Sequence, residues 1–172
     1  MVVGIVLAAG LVGAVSAAEH PVGSGPDDWW TVYPGQHPEA GSDLDHPQWI
    51  LNELDDEPVL ILDHSSGKCE ACIDQEGYVY TVLEEYGDDV MYEDLINGVG
   101  DDRADELFNI YDPNGGKSTV PLTVILTLVE DSEGNVVVGW HSMEDAAGGE
   151  EMVRSYVEDA IDYHEENIGE WA

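Results

Sequence analysis

Val59-Leu60-Ile61-Leu62 is a run of consecutive aliphatic residues, and it narrows the choice of fold more than any other feature of the chain. A half-exposed strand alternates apolar and polar residues, whereas an unbroken apolar run reads as a strand buried on both faces. Such a strand belongs in a sheet with helices on either side, and the flanking pattern supplies them. Asp45 is expected to cap a helix whose first turn holds His46 and Pro47. Its apolar residues are Trp49, Ile50, Leu51 and Leu54, and it ends by Asp55. After a Ser65-Ser66-Gly67-Lys68 turn, Cys72, Val79, Leu83 and Tyr86, with Ile73 and Val82 beside them, recur at helical spacing until Gly87.

Val90-Met91-Tyr92 reads as a second strand, followed by a loop and a short helix over Asp102 to Tyr111. Beyond the Pro113-Asn114-Gly115-Gly116 loop, Val120 to Val129 forms a strand with Pro121 near its start. Glu130 to Asn135 is a turn, and Val136-Val137-Val138 returns as the second arm of a hairpin. Met152, Val153, Tyr156, Val157, Ala160, Ile161 and His164 fall on one face of a last helix over 149–167. The expected architecture is α/β, a mixed central sheet of four or five strands between helices, with no internal repeat.

Ahead of this pattern, Val2 to Ala18 is an unbroken run of apolar and small residues ending in Val15-Ser16-Ala17-Ala18. Small residues after an apolar stretch suit a secretory signal, while the length sits at the lower limit for a membrane anchor. Either reading sends the rest of the chain out of the cytoplasm, secreted or anchored facing outward. Residues 19–44 are rich in Pro, Gly and Ser and read as a linker, in which Trp29-Trp30-Thr31-Val32-Tyr33 has the propensity of a short edge strand packed against the domain. The folded domain is assigned to residues 45–168.

Charge limits the partners. The chain of 172 residues carries 38 acidic and 4 basic residues, a formal net charge of −34. Acids run from Asp27 to Glu170 instead of gathering in one tail, which points to a protein suited to high salt. At about 1 M salt the screening length falls to roughly 3 Å, and such a surface becomes tolerable. Lys68, Arg103, Lys117 and Arg154 form no basic patch, so nucleic acid is excluded as a partner.

The chemistry lies in the two cysteines of the chain, Cys69 and Cys72, at the mouth of the expected strand-to-helix turn. Three residues is nearly one helical turn, so the two sulfurs can stand on one face and close a small disulfide. At the helix start, Cys69 meets unpaired backbone N–H groups and the positive end of the helix dipole, which favour the attacking thiolate. Cys72, one turn inside, would then resolve the mixed disulfide. Half of a zinc site has the same spacing, with His64 and His141 as candidate ligands, and a structural disulfide is the other alternative. Gly116-Lys117-Ser118 lacks the first glycine of a phosphate-binding loop and precedes a strand, so that reading is rejected.

Over roughly Asp45 to Asn167 the sequence resembles the thioredoxin family. The buried strand leading to Cys69-Glu70-Ala71-Cys72, the Val120-Pro121 dipeptide opening a hairpin, and the closing helix match in order and spacing. The resemblance implies a thiol–disulfide oxidoreductase that needs no cofactor and no metal, and whose partners are protein thiols and disulfides together with a membrane or soluble redox partner. It implies a cis Pro121 shaping a substrate groove, with Val120 offering its backbone to an extended segment. It also implies a buried acid six residues before the first cysteine, the position of Asp63, as proton relay. Lys68 stands where the family has an aromatic residue and Glu70-Ala71 where it has Gly-Pro or Pro-His. Lys68 favours the Cys69 thiolate and Glu70 opposes it, leaving the direction of electron flow open. A copper- or zinc-carrying or non-catalytic binding role on the same fold is the alternative.

If the acidic surface is an adaptation to salt, the segment from Glu19 onward loses cooperative structure as salt falls from molar to millimolar. Thermal unfolding followed by circular dichroism across that range should show a steep drop in midpoint; an unchanged midpoint would refute the adaptation.

Overall fold

In the computed structural model, which describes residues 19–116 and 119–171, the aliphatic run lies at the centre of the sheet. Strand β1 (Val59–Ser65) runs parallel to β2 (Met91–Asn97), with Val59 beside Met91 and Ser65 beside Asn97. On its other side it runs antiparallel to β3 (Leu122–Glu130), with Val59 opposite Leu126 and Asp63 opposite Leu122. β4 (Val136–Glu144) pairs antiparallel with β3, which completes the order β2-β1-β3-β4. Helices α1 (Gln48–Leu54), α2 (Glu70–Tyr86), α3 (Asp102–Tyr111) and α4 (Gly149–Asn167) flank this open mixed sheet. The result is an α/β sandwich of the thioredoxin-like kind. The segment Val2–Ala18, expected to direct export, lies outside the described residues, as do Lys117 and Ser118.

Alternation along β1 divides the run between two cores. Val59 and Ile61 pack with Ile50 and Leu54 of α1 and Ala104, Leu107 and Tyr111 of α3. Leu60 and Leu62 pack with Val79 and Val82 of α2 and Val153, Tyr156 and Val157 of α4. Each aliphatic or aromatic side chain so buried contributes about 1.5–3 kcal/mol, which is why the run tolerates no polar residue until Asp63.

Four local expectations change. The helix expected from Asp45 starts at Gln48: Pro47 stays extended at φ −59°, ψ 138°, and its carbonyl, not an Asp45 side chain, accepts from Ile50 and Leu51. β2 runs on through Glu93 and Asp94, because an edge strand can carry acids whose partners, Arg103 and His64, lie beside it. β4 continues through Gly139 to Glu144. A Cβ on Gly139 would meet Val129 Cγ1 at 2.6 Å, so glycine here permits close pairing instead of ending the strand. Finally, Ile73 is exposed, and the buried face of α2 is Cys72, Gln75, Val79 and Val82.

The edge strand expected at Trp29–Tyr33 does not form. Instead, Trp30 and Trp140 exchange both backbone hydrogen bonds at 2.9 Å, and a second isolated bridge joins Val22 to Trp29. The segment nevertheless packs. Trp29 enters the core under α2 and α4, and Trp30 enters the core under α1 and α3, so consecutive indoles straddle the β4 edge. Beside them the rings of His20, Tyr156, His141 and Trp30 stack in a column, with centroids 3.9, 3.9 and 4.4 Å apart. Burial lowers the His141 pKa to about 4, so this imidazole is neutral and its Nδ1–H donates to the Asp28 carbonyl at 3.0 Å.

At its start the segment is held by one carboxylate. Asp159 of α4 accepts from the Glu19 and His20 backbone N–H groups and bonds to His20 Nδ1, each at 2.8 Å. Asp159→Ala removes the acceptor from all three donors and should cost about 2–4 kcal/mol in denaturant unfolding. Hydrogen exchange at Glu19 and His20 should accelerate before any other region opens.

Candidate active site

β1 delivers the site because it ends, at Ser65, directly before the turn into α2. Ser66, Gly67 and Lys68 make that turn, and Cys69 is the N-cap of α2 at φ −118°, ψ 102°. A Ser, Thr, Asp or Asn oxygen ordinarily fills this role. Here the Cys69 sulfur does, accepting the Cys72 backbone N–H at 3.1 Å. Cys69 and Cys72 are joined in a disulfide with Cα atoms 5.1 Å apart. Cys69 is partly exposed, and Cys72 is 3% exposed. The helix geometry thus separates the two sulfurs by accessibility and by electrostatics. A charge on Cys69 would meet the helix N-terminus, while Cys72 lies one turn inside against the sheet.

β3 closes the site from the other side. The Val120–Pro121 peptide is cis, and the Val120 carbonyl oxygen lies 3.9 Å from Cys69 Sγ. The Pro121 carbonyl accepts from Asp145 N–H at 2.9 Å, which fixes the start of β3 to the end of β4. A backbone carbonyl beside the accessible sulfur leaves a polar main-chain edge that an extended peptide can use.

Asp63 is fully buried, and neither of its carboxyl oxygens has a hydrogen-bond partner. Burial raises its pKa to about 7. Asn97, close without meeting hydrogen-bond geometry, and His64 pull the value down in part, and Asp105 and Asp101 push it up. By strand alternation Asp63 shares a face of β1 with Ser65, about 6.6 Å along the chain. Ser65 reaches the disulfide, its Oγ lying 3.7 Å from Cys72 Sγ. Among the described residues no hydrogen bond joins the Asp63 carboxyl to either cysteine.

The remaining candidates are arranged around this centre. Lys68 and Glu70 flank Cys69 and are both exposed; Lys68 makes no ion pair among the described residues. His64, a candidate zinc ligand by sequence, instead bonds Asp94 of β2 at 2.9 Å, and His141 lies in the ring column beside α4. Two polar groups were absent from the sequence expectations. Ser65 was read as a turn residue, although it ends the strand. Gln75, three residues after Cys72 on the same helix face, donates to Thr123 Oγ1 of β3 at 2.7 Å in the core, tying the first turns of α2 to the strand that carries Pro121. A glutamine in phase with apolar residues was the signal for it.

No family model matches the chain, and no curated protein does. Among solved structures it is similar to one titled "Structure of a malarial protein", at 8% identity and a TM-score of 0.43, over 61% of this chain and 98% of that one.

Burial of the Asp63 carboxyl makes stability depend on pH. Its pKa rises from 3.8 to about 7 on folding, so the native state binds this proton more tightly than the unfolded chain. The associated stability is present below about pH 4 and lost as pH climbs through 7. Asp63→Asn should therefore unfold at higher denaturant than the parent above pH 7, by up to about 4 kcal/mol, with the gap closing toward pH 4. Parallel denaturant titrations from pH 4 to 8 read it out; a gap independent of pH would mean that Asp63 is ionised throughout.

Proposed function

We propose that this chain is a thiol–disulfide oxidoreductase that exchanges electrons with protein disulfides through the Cys69–Cys72 couple. One observation carries the reading: the two cysteines form a disulfide at the N-terminus of α2, with the more accessible sulfur capping the helix and the other buried. In the reducing direction, the Cys69 thiolate attacks a partner disulfide, one partner thiolate leaves and is protonated by water, and a mixed disulfide forms. Cys72 then gives up its proton, with Asp63 the nearby carboxylate of suitable pKa, and attacks Cys69 Sγ. The Cys69–Cys72 bond forms and the second partner thiolate departs, so two electrons reach the partner and the enzyme ends as the disulfide. Read backwards, the same steps oxidise a partner dithiol.

The substrate lies as an extended segment against the Val120 carbonyl and Pro121, with Lys68 and Glu70 setting the local potential at Cys69 from opposite sides. The apolar leader and the acidic surface support a place outside the cytoplasm in a salty medium, with a membrane or soluble protein as the source or sink of electrons. Among the described residues no helix is long and apolar enough to cross a membrane, so anchoring would fall to residues 2–18.

Variants of the two cysteines separate attack from resolution. Cys72→Ser should accumulate mixed disulfides with partner proteins on non-reducing gels. Cys69→Ser should be nearly inert, because its remaining thiol is buried and lacks the helix dipole. Trapping by Cys69→Ser alone reverses the assignment. If neither variant traps a partner and both purify with copper or zinc, the chain is a metal carrier.

A further inference from the structure

Ser65 is the polar side chain in contact with the resolving sulfur, its Oγ 3.7 Å from Cys72 Sγ. In the disulfide, Cys72 Sγ carries no hydrogen, so the hydroxyl proton is the one available between these atoms and the contact is O–H···S. The hydroxyl is partly buried at the end of β1, where Ser65 still pairs with Asn97 of β2, so it is held in place and partly shielded from bulk water. Cys72 is 3% exposed, and water can do little to stabilise a charge on it. Its own backbone N–H is occupied by Cys69 Sγ.

Resting on the oxidoreductase reading, we propose that Ser65 is a catalytic residue whose hydroxyl donates to the Cys72 thiolate, stabilising that sulfur both when it attacks the mixed disulfide and when it leaves in the reverse direction. The bonds formed and broken are those of ordinary exchange. Cys72 loses its proton, its electron pair forms the bond to Cys69 Sγ, and the partner sulfur departs with the pair from the broken bond. Ser65 keeps its own proton throughout. It is not the carrier to Asp63, whose carboxyl oxygens have no hydrogen-bond partner. Its effect is electrostatic: a charge-assisted hydrogen bond aimed at a sulfur that is neutral in the thiol and negative in the reacting form.

The test compares wild type, Ser65→Ala and Ser65→Thr in single-turnover reactions of the reduced protein with glutathione disulfide. Acid quenching and mass spectrometry count the mixed disulfide. Loss of one such bond raises the Cys72 pKa by about one unit, cutting the thiolate fraction about tenfold. The more basic thiolate is a better nucleophile, which recovers part of that, leaving resolution about threefold slower at neutral pH. Ser65→Ala should therefore accumulate the glutathione mixed disulfide, form it at the wild-type rate, and show the pH midpoint of resolution displaced about one unit upward. Ser65→Thr should restore both. The other titratable groups on the surrounding elements, namely Cys69, Asp63 and His64, Asp94 of β2, and the flanking Lys68 and Glu70, are common to all three proteins, so the displacement reports the hydroxyl. Unchanged resolution in Ser65→Ala, while Cys72→Ser still traps glutathione, overturns the role of Ser65 and leaves the oxidoreductase reading standing. Equal slowing of both steps also overturns it, since a distorted turn would do that. If neither wild type nor Cys72→Ser forms any mixed disulfide, the reading beneath the proposal fails and takes it down.

Discussion

From Val59 to Asp63, β1 has no free edge and no free face. It hydrogen-bonds to β2 on one side and β3 on the other, and its alternating side chains fill both cores. Its position is therefore over-determined, and whatever stands at its C-terminal end inherits that rigidity. Ser65 and the start of α2 stand there, and so the two sulfurs are placed by the most constrained strand in the molecule. β3, its antiparallel neighbour, brings Pro121 to the same end because Leu122 pairs with Asp63. The cysteine pair and the proline loop are far apart in sequence and meet because one strand fixes the register of both.

The electrostatics of the site run against those of the rest of the protein. Over the surface, acids crowd one another at a net charge of −34. At the site, burial penalises negative charge at Asp63 and shields Cys72 from water, while the helix N-terminus favours it at Cys69. A dithiol in this setting has one sulfur prepared to be an anion and one that becomes an anion only with local help. That asymmetry, and not the spacing of the cysteines alone, is what favours the exchange role proposed for the pair over a structural crosslink.

Much of this was legible in the chain because it depends on periodicity. β1 stands where its unbroken apolar run put it, α3 over Asp102–Tyr111 where the short helix was expected, and α4 over Gly149–Asn167 where a period of 3.6 put it. What was not legible depends on long-range pairing. The length of β2 follows from the pairing of Arg103 with Glu93 and the hydrogen bond of His64 to Asp94, and that of β4 from close contact between Gly139 and Val129. Neither is a local preference. Trp29 and Trp30 had strand propensity, but the indoles were spent in two different cores instead of along one ladder. At the site, Cys69, Cys72 and Pro121 were visible as motifs. Ser65 and Gln75 were not, because a serine before a turn and a glutamine in a helix are unremarkable until the atom they touch is known.

The indoles that straddle β4 also bear on the order of assembly. Glu19 and His20 reach an acceptor about 140 positions downstream, and Trp30 closes against Trp140. A ribosome delivers the first of these partners long before the second. Both cores must therefore wait, open on one side, until α4 has been made, and contacts of such long sequence separation form slowly. The opening residues of the segment are thus the last stitch of the fold, and until that stitch is drawn the nascent chain presents apolar surface to its surroundings.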